Sequence, residues 1–316
     1  MLSPLVSVII PTYRRPDLVV NAINSVLRQT YAPVETIVVD DGSGDETPRV
    51  LKRYPDVRSI VQENRGPAAA RNRGLREATG SFVASLDHDD LWDPHFLEVA
   101  VHTMQSLDAD MAWLNYRQVG NERSTYENFL HARKSYQHLA GVTGPRLLTN
   151  AEARLMLLCN TPQSNSAIVY RRETLGSGWL PEATLCDDWL LIASLLDRAS
   201  PRVAFIPAVS WTKTSDGANA SKPDRRNLTR TIRDVVLLLD HHTQRASDAE
   251  RQHIRTFLVS LYDDLLYIQG SAGLLRKNFH LWRKSLRFRE SLPGKIASMR
   301  SLVRCAAYAL RQAMRA

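Results

Sequence analysis

A chain of 316 residues with 44% apolar and 23% charged side chains is long enough for about two domains and has the composition of an ordinary soluble globular protein. Its net charge of +8 is uneven: from Gly270 onward eleven lysines and arginines face the single acid Glu290, so this tail carries +10 and residues 1–269 sum to −2. A basic tail on a near-neutral body points to an anionic surface, membrane or nucleic acid, and leaves the chemistry of the body to be argued separately.

Val6–Ile10 is a near-continuous apolar run ended by Pro11, the pattern of a central parallel strand, with Thr12, Tyr13, Arg14 and Arg15 in the loop at its carboxyl end. Pro16 suits a first helical turn, and Leu18, Val19, Ala22, Ile23, Val26 and Leu27 then recur at helical spacing. A second strand over Thr36–Val39 runs into Asp40, Asp41, Gly42 and Ser43, and a helix over Thr47–Arg53 follows. Val57–Val61 predicts a third strand and Gly66–Ala78 its helix. A fourth strand, Ser81–Leu86, ends in Asp87, His88, Asp89 and Asp90. Beyond it, Asp93 is expected to cap a helix that has Pro94 at its start and Phe96, Leu97, Val99, Ala100 and Met104 on one face. Strand–helix units in such succession predict a parallel, doubly wound sheet.

The polar residues gather at the carboxyl edges of these strands. Pro11, Thr12 and Tyr13, then Asp40 and Asp41, then Asn64, Arg65 and Gly66, and finally Asp87–Asp90 should converge on one crevice, where open α/β sheets bind ligands. Three carboxylates within four positions repel one another, so Asp87, Asp89 and Asp90 read either as a solvated acidic turn or as oxygen ligands of a hard cation. The chain has neither a GxGxxG turn nor a GxxxxGK[ST] loop, so bound phosphates would be neutralised by a cation and by side chains such as Arg71 rather than by backbone amides. Arg71 reads alternatively as a helix-surface arginine.

With these motifs in order, the first 220 residues or so resemble glycosyltransferase family 2. The resemblance rests on Val6–Arg15, Ile37–Ser43, Glu63–Gly66 with Ala70–Gly74, and Asp87–Asp90. It implies a GT-A fold, a Rossmann-like α/β architecture with a mostly parallel central sheet and flanking helices, followed here by a helical C-terminal extension. Residues 1–110 would form the nucleotide-sugar-binding half, 111–222 the acceptor-binding half, and 223–316 a helical basic region. The resemblance further implies that Pro11, Tyr13 and Asp41 face the base and ribose, with Thr12, Asn64 and Gly66 also lining the donor site. It places Asp87 near the ribose and the metal, Asp89 on a Mn2+ or Mg2+ ion bridging the diphosphate, Asp90 in support, and Arg71 as a nucleotide or phosphate contact. His88 is read as a bystander.

Further along, Met111–Tyr116 has strand character, and Thr161–Ser166 leads into an apolar run at Ala167–Tyr170. Asp187 and Asp188 open a helix. By resemblance Asp188 falls on the aspartate that deprotonates the acceptor hydroxyl, while Asp187 stands where the family has glutamate. A helix N-terminus stabilises such a carboxylate, and an acidic pair at a helix start is also an ordinary structural feature. One departure concerns Trp211–Asn219, which offers Lys213 to the phosphates but no histidine and leaves a third metal ligand open. The signature of processive synthases is absent, which points to single addition.

Past residue 223 helical periodicity takes over, in Ile232–Leu239 and Ile254–Leu265. At 100° per residue, Arg300, Arg304, Arg311 and Arg315 share an arc of about 60°, while Ile296, Met299, Val303 and Leu310 occupy another face, so a basic amphipathic helix is expected. It would contact anionic lipid or dock on the protein. Cys159, Cys186 and Cys305 lie far apart, which fits a reducing compartment. No signal-peptide pattern or membrane-spanning run is present, so a cytoplasmic location, peripheral on the membrane through that helix, is expected. The expected activity is an inverting, metal-dependent transfer from a nucleotide-diphosphate sugar, a UDP-sugar foremost, to a glycan or lipid-linked saccharide in cell-surface polysaccharide or glycolipid synthesis. A haloacid-dehalogenase-type phosphatase would use Asp87, Asp89, Asp187 and Asp188 but leaves the earlier motifs idle. A nucleic-acid-binding protein would use the basic tail but leaves the strand-end acids unexplained.

Overall fold

The computed structural model describes residues 3–120, 127–128, 130, 139, 141–159, 164–214, 224–241, 243–271 and 275–289. The expected basic helix over residues 296–315, the loop at 215–219 and part of the 161–166 segment lie outside the described residues.

Among the described residues, apolar runs flanked by breakers become the centre of one nine-stranded sheet. β1 (Val6–Thr12), buried along its whole length, pairs in parallel with β2 (Val34–Asp40), which pairs in parallel with β3 (Val57–Val61). On the other side of β1 lies β4 (Phe82–Ser85), again parallel. Each crossover carries a helix: α1 (Pro16–Leu27), α2 (Thr47–Leu51) and α3 (Pro67–Glu77). Pro16 fixes the first turn of α1, whose Val19, Ala22, Ile23 and Val26 are buried; each such branched side chain contributes about 1.5–3 kcal/mol. α3 packs on β1 so closely that a Cβ at Gly74 would stand 2.4 Å from Ile9 Cγ2. These units match the expected strand–helix succession.

The sheet then changes character. After β4 the chain forms β5 (Asp90–Trp92), α4 (Phe96–Ser106), β6 (Met111–Val119) and β7 (Arg146–Leu147). α5 (Asn150–Ala153), which Thr149 and Glu152 close with a capping box, runs into a wide helical turn over Arg154–Cys159. β8 (Ile168–Arg171), α6 (Arg172–Leu175), α7 (Asp187–Ala199) and β9 (Val203–Thr214) complete this part. The strand order is β3-β2-β1-β4-β8-β6-β9-β5, with β7 on β9. β8 runs antiparallel between β4 and β6, and β5 antiparallel on β9, so the sheet is mixed beyond β4. Trp113 stacks on Phe205 and Tyr116 on Trp211 across the β6–β9 pair. The cap expected at Asp93 is not formed: its carboxylate pairs with Arg117, and the helix starts after His95.

The chain divides into two compact units, Met1–Asn219 and Ala220–Ala316. In the second, α8 (Arg225–His241), α9 (Asp248–Ser271) and α10 (Leu275–Ser285) pack in sequence, α8 on α9 and α9 on α10. Among the described residues, no helix is long and apolar enough to cross a membrane.

Candidate active site

Parallel pairing of β1, β2 and β4 brings their carboxyl ends side by side: Thr12 stands opposite Asp40, and Ile9 opposite Ser85, one position before Leu86 and the acids. Polar groups then lace the loops together. Ser43 donates to Asp40 Oδ1 from both its backbone N, at 3.0 Å, and its Oγ, at 2.5 Å, and Ser43 Oγ accepts from the Arg14 backbone N at 2.9 Å. Arg14 takes a left-handed φ of 54° there, and its guanidinium lies 5.1 Å from the centre of the Tyr13 ring. β1 runs past Pro11 to Thr12, which is buried in the strand and not in the loop expected for it, and the Pro11 carbonyl lies 3.2 Å from His88 Nδ1.

Asp41 is committed to the third loop. Its Oδ1 accepts from Gln62 Nε2 at 2.8 Å and the Arg65 backbone N at 2.9 Å, while Oδ2 accepts from the Gly66 backbone N at 2.8 Å. Gly66, at φ 90°, precedes α3 in a conformation that other residues resist. Asp41 thereby shapes the turn that presents Asn64, which is exposed. Beside it a groove of about 670 Å³, lined by Gln62, Arg65, Asn72, Arg73 and Arg76 among others, follows the outer face of α3.

The acids after β4 converge. Asp87, Asp89 and Asp90 each offer an oxygen within 4.8 Å of the others. Asp90 is fully buried, accepting from Ser166 Oγ at 2.7 Å and Ser164 Oγ at 3.2 Å, with Lys213 Nζ 3.8 Å away. Burial, together with the charges of Asp89 and Asp87, pushes its carboxyl up to about 7 against the pull of Lys213. Asp87 lies below the ordinary carboxylate range because Arg71 and Lys213 outweigh its burial. Asp89 is half-buried, and among the described residues no hydrogen bond or ion pair engages its carboxylate; its backbone carbonyl accepts from Thr214 Oγ1. A carboxylate left open beside two others suits a hard divalent cation with oxygen ligands.

Arg71 and the start of α7 complete the site. Arg71 is 4% exposed and donates to Ser85, Asp87 and Asp187. The phosphate contact expected of it meets a guanidinium whose Nε, Nη1 and Nη2 are all engaged by the protein. Asp188 is buried at the first turn of α7, with Oδ1 accepting from the Trp189 backbone N at 2.7 Å. Burial, and after it the charge of Asp187, raises its proton affinity well above that of an ordinary aspartate.

The structure therefore gathers Asp87, Asp89, Asp90, Lys213 and Arg71 with the Asp187–Asp188 pair, and places Tyr13, Asp41, Asn64 and Gly66 on the neighbouring loops. Sequence reasoning missed Ser164 and Ser166, which reach Asp90 from the turn before β8, and the link between Arg71 and Asp187. It also missed β5, whose pairing with β9 sets Asp90 opposite Lys213. The signal for β5 was the apolar pair Leu91–Trp92 directly after the acids.

Residues 7–175 match the family described as Glycosyl transferase family 2. The chain is 35% identical over 157 residues, 48% of its length and 62% of the relative's, to an Escherichia coli protein named UDP-Glc:alpha-D-GlcNAc-diphosphoundecaprenol beta-1,3-glucosyltransferase WfgD. The chain spans between 18% and 62% of the length of the curated relatives it matches. Among solved structures, TarS 1-349 of S. aureus in complex with UDP superposes with a TM-score of 0.59 at 17% identity, over 94% of this chain and 89% of that one. The mannosyltransferase PcManGT from Pyrobaculum calidifontis, solved with GDP-Man and Mn2+, superposes with a TM-score of 0.59 at 20% identity, over 98% and 88% of the two chains. These likenesses show the GT-A type of fold with a helical extension. The family match takes in the loops after β1, β2, β3 and β4 together, whereas the phosphatase reading leaves the first three unused and the nucleic-acid reading leaves the strand-end acids unexplained. The chain belongs to glycosyltransferase family 2.

Proposed function

We propose that the chain transfers a sugar from a nucleotide-diphosphate donor to a hydroxyl of a glycan or lipid-linked saccharide, with inversion, as a step in cell-surface polysaccharide or glycolipid synthesis. The observation that carries this reading is the convergence of three carboxylates, one of them open, together with the buried pair Asp187 and Asp188 at a helix start. Relatives and structural neighbours named for glucosyl or mannosyl transfer, or solved with UDP or GDP-Man, support the donor class.

In this reading Tyr13, Pro11 and Asn64 face the nucleoside, and Asp41 holds the loop that carries Asn64. Asp89 and Asp87, with Asp90 behind them, would hold Mn2+ or Mg2+. Such an ion neutralises charge growing on the departing diphosphate without proton transfer. Lys213 adds a point charge beside the same oxygens. Asp188 takes the proton of the acceptor hydroxyl; the oxygen bonds to the anomeric carbon as the bond to the β-phosphate breaks, and the configuration inverts. A raised proton affinity makes Asp188 a better match to a hydroxyl than a solvated aspartate.

Calorimetry with UDP and GDP, with and without manganese, tests the donor half. Asp89→Ala should lose the manganese-dependent part of the affinity; an unchanged affinity would remove Asp89 from the metal site. Proton NMR of the product tests the mechanism, and a retained anomeric configuration would rule out single displacement.

A further inference from the structure

Arg71 joins three segments distant in sequence. It sits on α3, which packs against β1, and its donors diverge: Nε reaches Ser85 Oγ on β4 at 3.1 Å, Nη1 reaches Asp187 Oδ2 at the start of α7 at 2.5 Å, and Nη2 reaches Asp87 Oδ1. The Arg71 and Asp187 side chains are only 5% and 6% exposed. A guanidinium is a rigid planar fork, so two carboxylates bound to one such group are fixed relative to each other. At this depth the arrangement is self-enforcing, because breaking a buried pair strands a charge with no water to receive it.

Asp187 takes no part in the group formed by Asp87, Asp89 and Asp90. We propose that Asp187 is a positioning residue for the donor half of the site: by holding Arg71 it fixes the Asp87 carboxylate in the acid cluster, so the helix that carries the acceptor's base also sets the affinity for metal and nucleotide. Two features sharpen this. Asp87 has one oxygen on Arg71 and its other oxygen 3.5 Å from Ser164 Oγ, so the guanidinium is its main anchor. Arg71, for its part, stays firmly charged, since Asp187 and then Asp87 overcome its burial. Without Asp187, Nη1 loses its buried acceptor, and the fork is free to turn toward the remaining acids and draw Asp87 out of place.

This inference rests on the proposed donor site, and one set of calorimetric titrations separates the two. UDP and GDP are titrated into the full chain with and without manganese, using wild type, Asp187→Asn and Asp187→Ala. Asparagine keeps an oxygen for Nη1 and loses only the charge; alanine loses both. Arg71 stands one step behind Asp87, where partners of metal ligands commonly govern affinity by 10- to 100-fold, and Asp187 acts on the ligand through it. The manganese-dependent affinity should therefore fall by about that factor in Asp187→Ala and by less in Asp187→Asn, with the manganese-independent part unchanged. In an Arg71→Met background Asp187→Ala should add nothing further, the mark of action through Arg71. A merely structural role would lower the melting temperature and spare the manganese-dependent part. Wild-type manganese dependence in Asp187→Asn, which preserves shape and so answers even where the alanine variant fails to fold, would overturn the inference and leave the donor site standing. A wild-type chain that binds both nucleotides equally with and without manganese would overturn both.

Discussion

At the scale of single residues the site is governed by where charges are buried. Asp188 is protonated at pH values where a solvated aspartate is ionised, because burial and the charges of Asp187 and Asp87 favour its neutral form, while the Trp189 amide and Arg71 pull the other way. A base must be deprotonated to act, so kcat/KM should fall as pH drops through a value clearly above the usual aspartate range of about 3.9. Asp187→Asn removes one raising charge and should shift that acid limb to lower pH, which a pH–rate profile will read. Asp188→Asn should keep nucleotide binding and lose about 10²- to 10⁴-fold in turnover. Both acids were legible in the sequence as a pair opening a helix. Their division of labour was not, because Arg71, the partner that separates them, lies 116 positions before Asp187 and its helix face gives no sign of what it meets.

At the scale of elements, α3 holds the site together through its closeness to β1. Gly74→Ala would set a methyl 2.4 Å from Cγ2 of the fully buried Ile9. The expected cost is about 1–3 kcal/mol, read as a lowered denaturant midpoint, with secondary binding losses because Arg71 sits one turn away on the same helix. The four strand–helix units were legible because hydrophobic periodicity reports continuous burial. β5 was not, since three residues carry no period and its pairing with β9 is a tertiary choice. The same holds for the mixed second half of the sheet, where β8 inserts between β4 and β6 out of chain order.

At the scale of the whole molecule the dominant feature is the separation of charge, +10 from residue 270 onward against −2 before it. The full chain should float with vesicles containing phosphatidylserine and not with purely zwitterionic ones, and added salt should release it. Truncation after Leu292 should abolish the flotation, and a truncated chain that still floats would assign the contact elsewhere. Asp41 points to a further consequence. Its carboxylate is occupied in building the turn at 62–66, whereas the Asn64 side chain makes no hydrogen bond among the described residues and Tyr13 is 38% exposed. On the proposed reading of the donor site, scaffold and reading head are thus carried by different residues. Substitutions at Tyr13 and Asn64 can be screened for altered nucleotide preference without loosening the turn beneath them, so this sheet edge is open to redesign, and to drift in evolution, one side chain at a time.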